Sequence, residues 1–296
     1  MSIVGILVTK NEQDVIERMV RHNFLYLDHL HVIDNGSTDS SPEILGELAR
    51  EYSIAIETRA SAGLEKTDAI SALMNDTYRY DTVVPIDTDE FLKGDPGRFR
   101  AEIGALGAPV LLPWMTYVPT GIADASEPDV FRRITRRRTR EVPQYFKVIV
   151  PATMPRPLRL SEGSHALVGV EAAVCPTFRL AHFPVRSAQQ LTSKVLIGSW
   201  TNRVRRRPKG YGFQWDELAR KVTATGCFTP EEIERIANTY ASDTEVSLVD
   251  DPMPLDSGML LYTRDIEDPT AQMMRNISQY VDCLIDERVS PKVVAE

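Results

Sequence analysis

Along its first ninety residues the chain alternates short apolar runs with amphipathic stretches. Ile3–Val8 (IVGILV) is apolar over the length of one strand, as a strand buried on both faces must be. Between Glu12 and Leu27, the residues Val15, Ile16, Met19, Val20, Asn23 and Phe24 recur on one helical face. His29–Ile33 predicts a second strand, and the following Asp34-Asn35-Gly36-Ser37-Thr38-Asp39 is dense in turn formers. Ser40 or Ser41 then caps a helix with Pro42 at its start and Ile44, Leu45 and Leu48 facing inward. Ile54–Thr58 predicts a third strand, Leu64–Tyr78 a third helix, and Thr82–Ile86 a fourth strand that runs into Asp87-Thr88-Asp89-Glu90-Phe91. Such alternation predicts a parallel, Rossmann-like sheet with helices on both faces.

Past Gly94 the rhythm changes. Pro109–Tyr117, Val130–Thr135, Tyr145–Val150, Ala166–Val174 and Phe178–Phe183 read as strands separated by proline- and glycine-marked turns, an antiparallel extension of the sheet. From Ser187 the pattern is helical, over Ser187–Val204, Trp215–Thr223, Pro230–Tyr240 and Thr270–Glu287. The expected organisation is an α/β domain over 1–186 and a helical C-terminal extension over 187–296 packed on it.

Composition narrows the function classes. With 296 residues, 43% hydrophobic and 26% charged, the chain is an ordinary globular protein with enough length for a core without staples. Three scattered cysteines, Cys175, Cys227 and Cys283, exclude a disulfide framework and a cysteine zinc site. No apolar run of membrane-spanning length and no basic leader region precede the first strand, so a cytoplasmic location is expected. The net charge of −8 argues against a nucleic-acid coat. Two basic bands interrupt it, six arginines in 131–140 and five basic residues in 203–209. They are expected to pair with the excess acids, to hold an anionic acceptor, or to touch an anionic membrane surface at its cytoplasmic face.

The chemistry-bearing stretch is Val83–Phe91. An apolar strand delivers Asp87 and Asp89 at its carboxyl end, the edge where open α/β sheets bind ligands. In extended chain these two side chains share a side, and oxygen ligands of this kind suit Mg²⁺ or Mn²⁺ held together with substrate phosphates. Thr9-Lys10-Asn11-Glu12 follows the first strand and Asp34-Asn35 the second, so three loops converge on one crevice with groups that suit a nucleobase and ribose.

The order KNE, helix, VIDNGSTDS, apolar strand, DTDEF resembles family 2 glycosyltransferases of the GT-A fold. It is similar above all to the branch that shares features with family 92. Trp114–Gly121, Phe146–Pro151, Gly163-Ser164-His165 and His182–Ser187 followed by Lys194 are further landmarks, and the resemblance covers roughly residues 3–200. Asn35 departs from the aspartate common at that position. The resemblance implies that Thr9, Asn11, Glu12, Asp34, Asn35 and Asp87 line a nucleotide pocket. It further implies that Asp89 meets a Mn²⁺ or Mg²⁺ ion directly, with Asp87 on the ribose or a metal-bound water, and that Glu90 braces the loop. His165 or His182 would complete the metal shell, and Lys147, Arg186 and Lys194 would face the diphosphate. Asp124, Glu127 and Glu162 are the carboxylates available to deprotonate an acceptor hydroxyl. The expected activity is inverting transfer from a UDP- or GDP-sugar to a hydroxyl acceptor. A sugar nucleotidyltransferase would carry a glycine-rich phosphate loop after the first strand, which Thr9–Glu12 lacks. A binding module for anionic glycans or membranes would leave the acidic cluster without a purpose. Trp114 and Tyr117 are expected in the core rather than on a sugar, and His22, His29 and His31 are expected to be structural.

Overall fold

The computed structural model describes residues 2–61, 65–121, 127–204 and 213–289, the side chains of 203, 204, 213, 214 and 283–289 excepted. Strand β1 (Ile3–Thr9) leads into α1 (Ile16–Asn23), β2 (His29–Asp34), α2 (Ser41–Glu51), β3 (Ile54–Thr58), α3 (Lys66–Asn75) and β4 (Thr82–Pro85). The four strands pair in parallel in the order β3-β2-β1-β4. Both faces are covered: α1 and α2 supply Val15, Ile16, Met19, Val20, Leu45 and Leu48 to one core, and α3 supplies Ala69, Ile70, Leu73 and Met74 to the other. The first helix is shorter than its apolar periodicity predicts. Asn11 sits at φ 57, a left-handed conformation that asparagine tolerates, so residues 10–15 form a turn that turns the chain back along the sheet edge.

The chain then adds β5 (Glu90–Lys93), α4 (Pro96–Gly104), β6 (Val110–Thr116), α5 (Val130–Arg133), β7 (Arg136–Arg138), β8 (Phe146–Ile149), a 3₁₀ turn (Glu162–Ser164), β9 (Ala173–Val174) and β10 (Arg179–His182). A second sheet runs β5-β10-β6-β8, with β8 antiparallel to β6, β10 parallel to β6 and antiparallel to β5, and β9 beside β6. Val83 and Val150 exchange backbone hydrogen bonds of 2.8 and 2.9 Å, which joins β4 to the end of β8 and makes the two sheets one curved surface. A parallel half continued by a mixed half is the GT-A fold.

The strand expected at Val130–Thr135 is instead the short helix α5 followed by β7. Asp129 accepts from the Phe131 N–H and caps a helical turn there. Of Ala166–Val174 only Ala173–Val174 is strand. The expected helical region comprises α6 (Ala188–Val204), α7 (Phe213–Thr225), α8 (Pro230–Asn238) and α9 (Pro269–Val289), with β11 (Leu248–Asp250) antiparallel to β7. Helices α6, α7 and α8 close a third core with Val118 and Val185, which seats the extension on the sheet domain. Of the six arginines of 131–140, Arg137 binds Asp251 at 2.6 Å and Arg138 binds Glu141 at 2.8 Å, while Arg132, Arg136 and Arg140 are exposed. Of the second band, 205–209 lie outside the described residues.

Two buried ion clusters on α1 lash the chain end to the sheet domain. Arg18 forks onto Asp129 and also donates to Ser257 Oγ at 2.8 Å and Gly258 O at 3.1 Å. Glu17 is fully buried and accepts from the backbone N–H groups of Leu261, Tyr262 and Thr263 and from Arg21. Burial alone would raise the Glu17 carboxyl, but these donors outweigh it and hold it below its ordinary value. The stabilisation is therefore complete above the unfolded glutamate range and is lost as pH falls through the depressed folded value. Asp129→Ala leaves the Arg18 charge buried without its carboxylate. It should lower stability by about 3–5 kcal/mol, read as the urea midpoint. Glu17→Gln should lower stability at neutral pH and flatten the acid limb of the stability profile.

Candidate active site

The carboxyl ends of β1, β2 and β4 meet at one crevice. Thr88 Oγ1 donates to Thr9 Oγ1 at 3.0 Å, so the acidic loop after β4 is pinned directly to the end of β1. Asn35 N donates to Thr9 O at 2.9 Å, which brings the end of β2 to the same point. Within the DNGSTD turn the Asp34 carboxylate accepts from Ser37 N at 3.0 Å and Ser37 Oγ at 2.5 Å. Asn11 Oδ1 accepts from Thr38 N at 2.7 Å. Glu12 N donates to Ser41 Oγ at 2.9 Å.

The acidic loop itself is a charge cluster fed from distant elements. Asp87 accepts from Lys147 of β8 at 2.7 Å and from Lys66 of α3. Burial alone would raise the Asp87 carboxyl, but the Lys147 and Lys66 charges hold it far below the usual range. Asp89 accepts from Lys194 of α6 at 3.0 Å, with His182 Nε2 at 3.8 Å and an Arg186 nitrogen at 3.9 Å. Burial is again outweighed, here by Lys194, His182 and Arg186, and the carboxyl stays ionised. Glu90 is fully buried and accepts the Asp87 N–H at 2.8 Å, a contact within the loop. Burial pushes it up to about 8.

The two candidate histidines part company. His182 ends β10 beside Asp89, packed under Trp114 with ring centroids 4.2 Å apart and edge-on to Tyr240 at 5.4 Å. Burial pushes it down to about 3, so its imidazole is neutral with a lone pair to offer. His165 bonds Phe146 O at 2.6 Å through Nδ1 and packs between Trp114 and Tyr145. Among the described residues no group of three or more His, Cys, Asp or Glu side chains is arranged to hold a metal. Asp89 and His182 do converge, and a neutral imidazole beside an ionised carboxylate is a pair that could hold a divalent ion taking its remaining oxygens from phosphates.

The three basic candidates differ in exposure. Arg186 is 1% exposed and forks onto Asp14 at 2.7 and 3.0 Å, with Glu12 at 2.5 Å and Phe183 O at 3.2 Å. Its place is a brace between the β1 and β10 ends. Burial pushes Glu12 up to about 7 against the pull of Arg186. Lys147 is enclosed, while Lys194 is half-buried, with its ammonium also over the Tyr240 ring at 5.5 Å. Glu127 accepts the Asp129 N–H at 2.9 Å, Glu162 is exposed on the 3₁₀ turn, and Asp124 lies outside the described residues. Tyr117 is core, stacked on Phe183 at 4.4 Å. His22, His29 and His31 are structural, bonded to Leu92 O, Ser53 and Tyr78. Lys66, Asp14 and Tyr240 escape a reading of the sequence, because each reaches the cluster across a long stretch of chain and none belongs to a motif.

Residues 6–116 match the model of glycosyl transferase family 2. That segment is similar to family 2 glycosyltransferases. The matched segment spans β1 to β6, so it contains the whole acidic loop, and the enzyme class of the chain is glycosyltransferase. No curated protein matches the sequence. Solved structures with a similar course include S. aureus TarS 1-349 in complex with UDP, at 12% identity and TM-score 0.39, covering 75% of this chain and 72% of that one. TarS 1-349 in complex with UDP-GlcNAc is similar at 13% identity and TM-score 0.39, covering 75% and 73%. A putative glucose-1-phosphate thymidylyltransferase from Bacillus anthracis in complex with a sucrose is similar at 13% identity and TM-score 0.32, covering 83% and 97%. At such scores these likenesses carry no argument about ligands.

Lys147 is the counter-charge on which the acidic loop depends. Lys147→Met should leave Asp87 and Glu90 without their shared cation. A clear fall in melting temperature is expected, growing as pH rises past about 8, where Glu90 as well as Asp87 is ionised. An unchanged melting curve would show that Lys66 alone holds Asp87.

Proposed function

We propose that the protein is a metal-dependent glycosyltransferase. It moves a sugar from a UDP- or GDP-sugar to a hydroxyl acceptor with inversion, and it stands near the branch similar to family 92. The carrying observation is the convergence of Asp89 and His182 at a sheet edge that Thr9, Asp34 and Asn35 also line. Asp89 and His182 would hold Mn²⁺ or Mg²⁺, which neutralises charge on the departing diphosphate. Lys194 screens the same charge from the side of α6, and Glu90 and Arg186 keep the two loops in register.

The acceptor has a place to enter. A cavity of about 380 Å³ lies against Arg186, lined by Asp14, Arg133, Ser187, Ile233, Ile266 and neighbours. Arg186 is thus the wall shared by this cavity and Asp89. Among Asp124, Glu127 and Glu162, Glu127 is tied to the cavity through Arg133, whose Nη1 donates to its carbonyl at 2.8 Å. Glu127 is the first carboxylate to test as the base. No helix among the described residues is long and apolar enough to cross a membrane. Contact with a membrane surface at the cytoplasmic face therefore rests on the basic residues of 203–209, and their replacement by glutamine should reduce binding to anionic vesicles at low salt.

Asp89→Ala should abolish transfer and remove the rise in melting temperature that UDP or GDP gives in the presence of Mn²⁺, with the far-ultraviolet spectrum unchanged. Near-parental turnover in that variant would sink the metal-site reading. If neither nucleotide raises the melting temperature of the parent with or without Mn²⁺, the glycosyltransferase donor reading goes with it.

A further inference from the structure

We infer that the C-terminal helices complete the nucleobase subsite of this site, with Asn276 of α9 as the acceptor that reads a base N–H and Trp200 of α6 as the stacking face. The inference rests on the nucleotide-donor reading above and adds the wall that the β-strand loops lack. A small cavity of about 40 Å³ lies where the two parts meet. Lys10, Asn35 and Ser61 line it from the strand ends, and Trp200, Asn276 and Gln279 line it from the helices.

Asn276 carries the argument. It is 1% exposed. Its Nδ2 donates to Gln272 O at 2.8 Å and to Thr38 Oγ1 at 3.2 Å, which fixes the amide orientation. Its Oδ1 is then left buried with no hydrogen-bond donor. A buried acceptor without a donor is costly, and few native side chains carry one without cause. Here the cause has a direction, because Asn276 borders a cavity beside the loops already assigned to a nucleotide.

The surroundings specify the class of base. Lys10 Nζ donates to Asn35 O at 3.1 Å and to Gln279 Oε1 at 3.2 Å, so a cation with donor capacity stands in the same cavity as the Asn276 acceptor. Gln279 Nε2 lies over Gly36, where a Cβ would stand 2.8 Å from it; glycine at this turn lets the helix approach. An acceptor set among donors matches a ring N–H set between carbonyl oxygens, the pattern of uracil. It does not match cytosine, whose ring nitrogen at the same position is itself an acceptor. Trp200 stands edge-on to Tyr280 with centroids 4.9 Å apart, which holds its indole in place as a face for stacking. The cavity has room for roughly three waters, less than a pyrimidine. Base entry therefore requires the Gln279–Lys10 bond to open, and the base would take over the Gln279 contacts.

The test is calorimetric titration of the full chain with UDP, CDP and uridine, with Mn²⁺ present. The parent should bind UDP more tightly than CDP, and uridine weakly. Asn276→Leu should lose about tenfold in UDP affinity, as one buried hydrogen bond is worth, and lose the preference over CDP. Trp200→Leu, which leaves every α9 hydrogen bond intact, should lose about tenfold for both nucleotides and for uridine. It decides the matter if Asn276→Leu fails to fold by circular dichroism. If both variants bind UDP like the parent while Asp89→Ala does not, the helices are no part of the base subsite and the inference falls, though the donor reading stands. A parent that binds no nucleotide overturns both.

Discussion

Two carboxylates one residue apart at the end of a buried strand repel each other, and the rest of the molecule is organised around supplying their counter-charge. Asp87 draws on α3 and β8 through Lys66 and Lys147, and Asp89 draws on α6 and the β10 end through Lys194 and Arg186. Each cation arrives from a different part of the chain. The electrostatic requirement of one loop therefore becomes a set of tertiary contacts that ties the parallel half, the mixed half and the helical region together. Buried ion pairs add little net stability when complete, yet removing one partner is costly. Such a cluster fixes arrangement more than it deepens the energy minimum.

The legibility of the sequence follows from the range of the interactions involved. Strands β1 to β4 and their helices were readable because apolar runs and helical periodicity are local, and the site loops followed because the carboxyl ends of parallel strands share an edge. The place of Asp87 and Asp89 at that edge was readable for the same reason. The distinction between His165 and His182 was not. Both stand near strand ends beside similar neighbours, and only the parallel pairing of β10 with β6 puts His182 against Trp114 and Asp89. The misread segment at Val130–Thr135 fails on a local detail. Its alternation suits a strand, but an Asp129 cap and the burial of Val130 and Phe131 together win a helical turn.

The helical region illustrates the limit in another way. Helix α6 has apolar residues spread around its circumference, so periodicity alone assigns it no face. In the fold it has two tasks: Leu191 and Val195 enter the core with α7 and α8, while Lys194 reaches Asp89 and Trp200 faces α9. A helix that serves a core on one side and a polar site on the other shows a blurred pattern. The blur is the trace of the function.

The charge state of the crevice follows from these contacts. Glu12 and Glu90, pushed up to about 7 and about 8 by burial, are substantially protonated near neutrality. Asp87 and Asp89, both held ionised, then face Lys66, Lys147, Lys194 and Arg186. On the proposed reading, a crevice so rich in cations would take a diphosphate and a divalent cation together better than the cation alone. A cation there would have two protein ligands and would displace none of the lysines from Asp87 to reach Asp89 Oδ1 beside His182. On the proposed reading the nucleotide and the metal would be coupled: each would supply the charge that the other needs, and the lysines would keep the acidic loop from collapsing when both are gone.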